Sequence, residues 1–235
     1  MTPATAKCTG TAIRDIVTAA VPIVLLGLSR SGKTSAGKLL AERLHCSFYD
    51  TDEVIALRTG LSPRQLYRRH GVQALYAAEA AALRECGELA ITVGAETAEP
   101  LLPRETMGTA GKAAEADGSG GNATEKTAAV IAAGGGICDN REAADVLAAL
   151  PQRIFLYAEQ AELFTRLTQE AHQAGSYPAF LCSLPAAQEA EASRLFSELY
   201  KRRTALYRKL CTAIVDTSGL SCAAVAQAIA EGTAL

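Results

Sequence analysis

The chain has 235 residues, of which 49% are apolar and 20% are charged, and its formal net charge is −2. This length suits one large α/β domain with or without an appendage, and the apolar content suffices for a substantial core. The near-neutral charge excludes the general electrostatic attraction that nucleic-acid-binding and membrane-surface proteins use. Any recognition of phosphate must therefore be local, and we expect neither a nucleic acid nor a membrane as a partner.

The seven cysteines are scattered along the chain, without a CxxC motif or a Cys/His cluster. This pattern is typical of reduced thiols and disfavours both a disulfide scaffold and a zinc site. Residues 1–20 are predicted to form a short leader. The apolar segment 13–28 is too short to span a bilayer and runs directly into a glycine-rich motif, which disfavours export. We expect a cytoplasmic monomer.

Strand and helix patterns alternate in the first part of the chain. A continuous apolar run beginning at Val21 is typical of a strand covered on both faces. The predicted elements are a strand at 21–26, a loop at 27–34, a helix at 35–44, a strand at 47–50, and a helical region at 53–90 that breaks near 60–63 and at Gly71.

Residues 94–127 differ in composition, being rich in Gly, Ala, Glu, Thr and Lys. Such a segment cannot bury enough apolar surface to offset the entropy lost on ordering. It is predicted to be a flexible surface insertion, with a regulatory or partner-binding role as the alternative.

The alternation resumes after the insertion and predicts a parallel sheet with helices on both faces. Ligands of such sheets bind at the carboxyl ends of the strands, where Gly27, Asp50 and Gly134 follow or end predicted strands. The remaining elements are strands at 128–133, 153–157 and 212–215, helices at 141–150, 159–170 and 220–230, a polar stretch at 171–185, and a long helix ending near 210.

Residues 27–34, GLSRSGKT, satisfy the pattern G-x-x-x-x-G-K-[ST]. Glycines allow backbone N–H groups to surround phosphate oxygens at the positive end of the following helix. Lys33 would neutralise the β- and γ-phosphates, and the Thr34 hydroxyl would bind Mg²⁺. Arg30 adds a second cation or lies on the surface. The nucleotide-binding residues predicted in this loop are Gly27, Ser29, Arg30, Ser31, Gly32, Lys33, Thr34 and Ser35.

Motifs downstream of the loop resemble those of the shikimate kinase family in the same order. Residues 50–62 resemble D-T-D-x-x-I-E-x-x-x-G-x-S/T, and residues 71–79 resemble G-E-x-x-F-R-x-x-E. Residues 130–136, VIAAGGG, resemble V-I-A-x-G-G-G. Near the C-terminus, 201–207 and 215–217 resemble K-R-x-P-L-Y and V-D-T. The resemblance covers residues 21–232 apart from the insertion.

This resemblance implies a P-loop NTPase three-layer α/β/α fold with a five-stranded parallel sheet. One kinase domain would span residues 21–235, with a lid at about 171–186. The implied activity is transfer of the γ-phosphate of ATP to a hydroxyl of shikimate, giving shikimate 3-phosphate, with Mg²⁺ as the metal.

The resemblance also assigns roles to individual residues. Asp50 would hold the Mg²⁺ shell together with Thr34, and Asp52 would orient or deprotonate the attacking hydroxyl, with Lys33 as the other catalytic residue. Arg203 would pair with the substrate carboxylate, and Arg166 would contact the nucleotide. The glycines that would let substrate approach the backbone closely are Gly134, Gly135 and Gly136.

Each assignment has a structural alternative. Asp50 and Asp52 could cap the following helix, and the three glycines could form an ordinary strand-to-helix turn. Arg203 lies among other cations and could belong to a solvated surface. Arg166 could equally lie on the surface.

Two positions depart from the family pattern. Tyr76 stands where a carboxylate-binding arginine is expected, and Tyr177 stands in place of a lid arginine. Arg68 or Arg69 could supply a substitute cation. Three hypotheses follow: a shikimate kinase, a kinase of another small hydroxylated metabolite with or without a carboxylate, and a catalytically weak nucleotide-binding regulatory module. Tyr76 remains a candidate substrate-binding residue in the first two.

Overall fold

The computed structural model describes residues 21–93 and 129–232, so the predictions for the leader and for the 94–127 insertion lie outside the described residues. The predicted alternation of strands and helices is confirmed. In chain order the elements are β1 (Ile23–Leu26), α1 (Lys33–Leu44), β2 (Ser47–Asp50), α2 (Thr51–Thr59), α3 (Pro63–Val93), β3 (Ala129–Ala132), a 3₁₀ turn (Ile137–Asp139), α4 (Arg141–Ala149), β4 (Gln152–Tyr157), α5 (Gln160–Ala174), a 3₁₀ turn (Ala179–Leu181), α6 (Glu189–Leu210), β5 (Ala213–Asp216) and α7 (Cys222–Glu231).

The five strands form one parallel sheet in the order β2-β3-β1-β4-β5. β1 lies at the centre, where Ile23 pairs with Val130 on one side and with Gln152 on the other. Because all strands run in one direction, their carboxyl ends share one edge. The order places the end of β3 between the ends of β1 and β2, so the loops after these three strands meet.

Alternation along the buried strands divides the core between the two faces of the sheet. Val24 and Leu26 face the cluster formed with α3, α4, α5 and α6. Ile23 and Leu25 face the cluster formed with α1 and α7. This arrangement is the predicted three-layer α/β/α fold, and its fully apolar strands are those of a sheet covered on both sides.

Two irregular features flank the carboxyl edge of the sheet. α3 is interrupted at Gly71, whose φ of 81° lies in the left-handed region that favours glycine; this is the predicted break. α5 continues to Ala174, beyond the predicted end at 170. The chain then doubles back through a bridge between Ser176 and Pro185, and we name residues 176–185 the hairpin segment.

Within the described ranges, no helix combines the length and apolarity needed to cross a bilayer. The cysteines described there are free thiols.

Candidate active site

The side chain of Lys33 folds back onto the loop between β1 and α1. The Lys33 ammonium donates hydrogen bonds to the carbonyl oxygens of Gly27 and Leu28, both at 2.9 Å. Lys33 is only 8% exposed, and burial lowers its pKa to about 8 although the carboxylates of Asp52 and Asp50 oppose the shift. A buried cation whose desolvation outweighs the effect of the nearby carboxylates favours the arrival of an anion beside it.

Glycines allow the tight path of this loop. Gly27 has a φ of 151°, and a Cβ there would lie 2.6 Å from Ser31 Oγ and 2.9 Å from the Leu156 carbonyl oxygen. Gly32 precedes α1 with a φ of 87°. Arg30 also adopts a positive φ, 68°, which is uncommon for a residue with a side chain. Its carbonyl accepts a hydrogen bond from Arg166 Nη1 at 2.7 Å, which ties the loop to α5.

A chain of oxygen contacts joins this loop to the end of β2. The Thr34 hydroxyl donates to Asp50 Oδ2 at 2.7 Å, and Asp50 Oδ1 accepts from the Asp52 backbone N–H at 2.9 Å. Asp50 therefore caps α2 and faces Thr34 at the same time, so the capping contact leaves one carboxylate oxygen directed at the loop. Asp52 lies beyond it, and desolvation in the cavity followed by the Asp50 charge raises its pKa, against the effect of Lys33.

The three glycines after β3 each lie against a different part of the site. A Cβ on Gly134 would lie 2.9 Å from Asp52 Oδ1, and one on Gly135 would lie 2.7 Å from the Ser29 backbone nitrogen. A Cβ on Gly136 would lie 3.1 Å from Arg203 Nη2. None of the three has a positive φ. Close approach, rather than an unusual backbone conformation, is what requires glycine here.

Arg203 reaches this edge from α6. Its Nε donates to Asp139 Oδ2 at 2.9 Å and its Nη1 donates to the Gly135 carbonyl at 3.0 Å. The guanidinium carbon lies 5.7 Å from the centre of the Phe180 ring in the hairpin segment. The residue is 8% exposed, so Arg203 does not lie on a solvated cationic surface.

A single cavity of about 1000 Å³ collects these groups. Of the residues predicted from sequence to form the site, Gly27 and Ser31 do not line it; both are buried within the loop. The predicted residues that do line it are Ser29, Arg30, Gly32, Lys33, Thr34, Ser35, Asp50, Asp52, Tyr76, Gly134, Gly135, Gly136, Arg166 and Arg203.

Comparisons with known proteins agree with this geometry. The family model for shikimate kinase matches residues 30–95 and 121–233, well over half of the chain. The chain belongs to the shikimate kinase family. It is 27% identical to a shikimate kinase of Syntrophus aciditrophicus over 208 residues, 88% of each protein. It is 24% identical to that of a Marinomonas species over 83% of this chain and 82% of the relative.

Solved structures support the fold. The shikimate kinase of Acinetobacter baumannii in complex with shikimate aligns over 92% of this chain and 94% of its own, with a TM-score of 0.62 and 20% identity. That of Aquifex aeolicus aligns over 88% of this chain and 92% of its own, with a TM-score of 0.55 and 20% identity. As a shikimate kinase family member the chain is a small-molecule kinase.

The two departures from the shikimate kinase pattern have different structural outcomes. Tyr76 lines the cavity. Tyr177 does not: it is fully buried, stacks on Phe164 with ring centres 6.2 Å apart, and its hydroxyl lies 3.2 Å from the Thr168 hydroxyl. The position that stands in place of a lid arginine therefore lies in the core, shortly after the turn at Gly175.

Arg68 and Arg69, suggested as substitute cations, do not face the cavity. Arg68 donates to Ser183 in the hairpin segment at 3.2 Å, and neither Arg68 nor Arg69 lines the cavity. Arg64, one helical turn earlier on α3, does line it. Sequence reasoning missed this residue because no local pattern shows which arginine in the first part of α3 faces the cavity.

Other cavity residues also went unpredicted, namely Glu79, Asp139, Glu170, Phe180 and Arg202. Glu79 has the clearest chemical signature: it is 7% exposed, and Asn140 Nδ2 donates to its Oε2 at 3.1 Å. Burial raises its pKa to about 7, although the Asn140 hydrogen bond opposes the shift. Its place in the motif at 71–79 was the available signal, and its burial could be known only from the packed structure.

The oxygen groups at the loop fit Mg²⁺ rather than a metal held by protein alone. Among residues 21–93 and 129–232 there is no group of three or more His, Cys, Asp or Glu side chains that could hold an ion. Thr34 and Asp50 instead offer two hard oxygen ligands beside a phosphate-binding loop. Mg²⁺ is commonly bound in this way, by one or two protein oxygens together with phosphates and water.

Proposed function

We propose that this chain is a shikimate kinase that transfers the γ-phosphoryl group of ATP to a hydroxyl of shikimate, giving shikimate 3-phosphate. The observation that carries the proposal is the contact of three consecutive glycines with three separate groups. Gly134 adjoins Asp52, Gly135 adjoins the phosphate-binding loop at Ser29, and Gly136 adjoins Arg203. One short segment would thus bring together the proposed base, the proposed phosphate site and the proposed carboxylate-binding cation.

The proposed nucleotide end is formed by the loop and α1. Backbone N–H groups and the Lys33 ammonium would bind the β- and γ-phosphates. The negative charge of the phosphates would raise the pKa of Lys33 and so offset the effect of its desolvation. Thr34 and Asp50 would hold Mg²⁺, which when bound would neutralise charge on the phosphate oxygens. Arg166, fixed on the Arg30 carbonyl, would contact the nucleotide at the outer wall.

The proposed acceptor end is formed by Asp52, the glycines and Arg203. Asp52 would accept a hydrogen bond from the attacking hydroxyl, and its raised pKa suits it to take the proton as the new P–O bond forms. The bond between the γ-phosphorus and the bridging oxygen breaks, and ADP leaves with that oxygen. Arg203 would hold the acceptor carboxylate, so that the hydroxyl is directed at the γ-phosphorus.

The variant Asp52→Asn tests this assignment. An amide cannot take the proton and carries no charge, so kcat should fall by roughly 10²-fold or more, the usual contribution of general base catalysis. ATP affinity, measured by calorimetry with Mg²⁺ present, should stay nearly unchanged. A large loss of ATP binding would contradict the proposed role. Glu53→Gln serves as the control, since Glu53 is an adjacent exposed carboxylate that does not line the cavity.

Tyr76 favours a second candidate, a kinase of a small hydroxylated metabolite that lacks a carboxylate. This side chain lines the cavity and brings no charge. A coupled assay with ATP, Mg²⁺ and a panel of shikimate, quinate and simple polyols separates the candidates. Preferential turnover of shikimate supports the first function, and preferential turnover of a neutral polyol supports the second. ATP binding without turnover of any acceptor would favour a regulatory module instead.

A further inference from the structure

Asp139 lies in the 3₁₀ turn that directly follows the three glycines and lines the cavity. One of its oxygens, Oδ2, accepts hydrogen bonds from two arginines of α6: Arg203 Nε and Arg202 Nη2, each at 2.9 Å. The Asp139 side chain is 16% exposed, compared with 9% for Arg203 and 61% for Arg202. A largely buried carboxylate therefore brings a buried and an exposed guanidinium together at one end of the cavity.

The contacts of Arg203 define the orientation of its guanidinium group. Nε is held by Asp139, Nη1 is held by the Gly135 carbonyl, and the Phe180 ring lies 5.7 Å from Cζ. Among the described residues, Nη2 has no hydrogen-bond acceptor, and the absence of a side chain at Gly136 allows it to lie close to the backbone, since a Cβ there would be 3.1 Å away. Because Nε and Nη1 already donate to protein oxygens, Nη2 is the nitrogen that remains to bind a ligand.

The local charge fits an anion with one negative charge. Arg202 and Arg203 carry two positive charges, and Asp139 cancels one of them, so the group has a net charge of +1. Without Asp139, two guanidinium groups on adjacent residues would repel one another, and the buried Arg203 would lack an ionic partner. Tyr76, which lines a smaller pocket together with Asp139 and Arg202, adds no charge that could compensate.

We propose that Asp139 is a positioning residue for the acceptor carboxylate, which fixes Arg203 and recruits Arg202 to the same end of the cavity. The inference rests on the proposed function, since it concerns the carboxylate of the proposed acceptor. It adds that selectivity for a carboxylated acceptor depends on a negatively charged residue that does not itself touch the substrate. Asp139→Ala should then weaken binding of the carboxylated acceptor even though it removes a negative charge.

The test compares shikimate with its alcohol analogue, in which CH₂OH replaces the carboxylate, in steady-state assays of wild type, Asp139→Ala and Asp139→Asn. Asp139→Ala should raise the KM for shikimate about tenfold or more, as expected when a charged hydrogen-bonding partner is displaced. Its kcat, its KM for ATP and its KM for the alcohol analogue should change less than about twofold. Asp139→Asn should lie between wild type and Asp139→Ala, because an amide oxygen can still accept from Nε but holds it more weakly.

Glu142→Ala is the matched control, since Glu142 is a nearby exposed carboxylate that pairs with Arg84 outside the cavity. It should leave every constant unchanged. A lower KM for shikimate in Asp139→Asn would overturn the inference, because Asp139 would then act only as an unfavourable charge. An equal rise in KM for both acceptors would also overturn it, since that outcome indicates general disruption. If Asp139→Ala does not fold, the isosteric Asp139→Asn decides between these outcomes.

The two proposals can fail separately. A wild-type enzyme that does not phosphorylate shikimate overturns the proposed function and this inference with it. An active wild-type enzyme whose Asp139 variants keep the ratio of the two KM values overturns the inference alone.

Discussion

Glu79 is a carboxyl group whose burial has a measurable cost. Its pKa is raised from 4.5 to about 7, chiefly because burial removes solvation from the ionised form. In the unfolded chain the group titrates near its ordinary value. The native state therefore holds the proton more tightly, and stability decreases as the pH rises from 4.5 to 7. Above pH 7 the whole cost of burying the charge is present.

Glu79→Gln should remove this dependence on pH. The free energy of unfolding of the variant should match that of wild type near pH 4.5 and exceed it by up to about 3 kcal/mol above pH 7. Urea denaturation at several pH values between these limits measures the difference. Glu142→Gln, at an exposed position, serves as the control. A Glu79→Gln variant that is destabilised equally at every pH would contradict the burial argument.

At the scale of elements, the site depends on the approach of the β3 end to the loop after β1. These segments lie on adjacent strands, and the backbone of Gly135 passes so close to Ser29 that a Cβ would lie 2.5 Å from its Oγ and 2.7 Å from its nitrogen. The nitrogen belongs to backbone and cannot swing away. Any side chain at position 135 must therefore displace the loop or the strand end.

Gly135→Ala should accordingly lower kcat/KM for ATP by about tenfold or more, because small displacements of positioned groups are costly in phosphoryl transfer. The strain should also lower the free energy of unfolding by about 1–3 kcal/mol. Steady-state kinetics and chemical denaturation measure the two effects. Gly87→Ala is the control: its Cβ would lie 3.3 Å from Leu150 Cδ2, a side-chain tip away from the cavity. Unchanged kinetics in Gly135→Ala would show that the loop tolerates displacement.

The backbone path of the hairpin segment decides which of its side chains enter the core and which face the cavity. Tyr177 follows the turn at Gly175, and its backbone N–H donates to the Leu184 carbonyl at 2.8 Å. This pairing sends its ring into the core beside Phe164, and Phe180 instead faces Arg203 at the cavity. The segment thus contributes an aromatic surface, and not a cation, to the site.

At the scale of the whole molecule, the cavity couples ligand binding to global stability. Lys33 connects the two, because its burial is unfavourable without a ligand: its pKa is lowered from 10.5 to about 8. The unfolded chain binds this proton more tightly than the native state does. Below pH 8, burial of the charged lysine therefore lowers the free energy of unfolding of the wild type by its full amount. This destabilisation disappears as the pH rises toward 10.5.

Lys33→Met should separate stability from ligand binding. At pH 7 the unliganded variant should be at least as stable as wild type, since it removes a buried charge. ATP with Mg²⁺ at a hundred times the dissociation constant should stabilise wild type by about 2.7 kcal/mol but should not stabilise the variant. Thermal unfolding with and without the ligand tests both statements. Lys38→Met, on the exposed side of α1, should keep the ligand-induced shift; a full shift in Lys33→Met would refute the role of the lysine.

Much of the fold could be predicted from the sequence because its signals are local. Continuous apolar runs mark strands buried on both faces, and the pattern G-x-x-x-x-G-K-[ST] marks a loop between a strand and a helix. The break at Gly71 and the strand at 47–50 were also predicted from the residues at those positions. The order of the motifs placed the ends of β1, β2 and β3 at one edge, since parallel strands share the edge of their carboxyl ends.

The tertiary structure decided which side chains enter the cavity. Asp139, Arg64 and Glu79 are ordinary charged residues in the sequence, and their roles depend on the packing of α3 and α6 against the turn after β3. Tyr177 shows the converse, since a motif position that stands in place of a lid arginine is buried in the core. Local patterns determine element type through backbone preference and hydrophobic period, whereas the direction and burial of a charged side chain depend on contacts between residues distant in the chain.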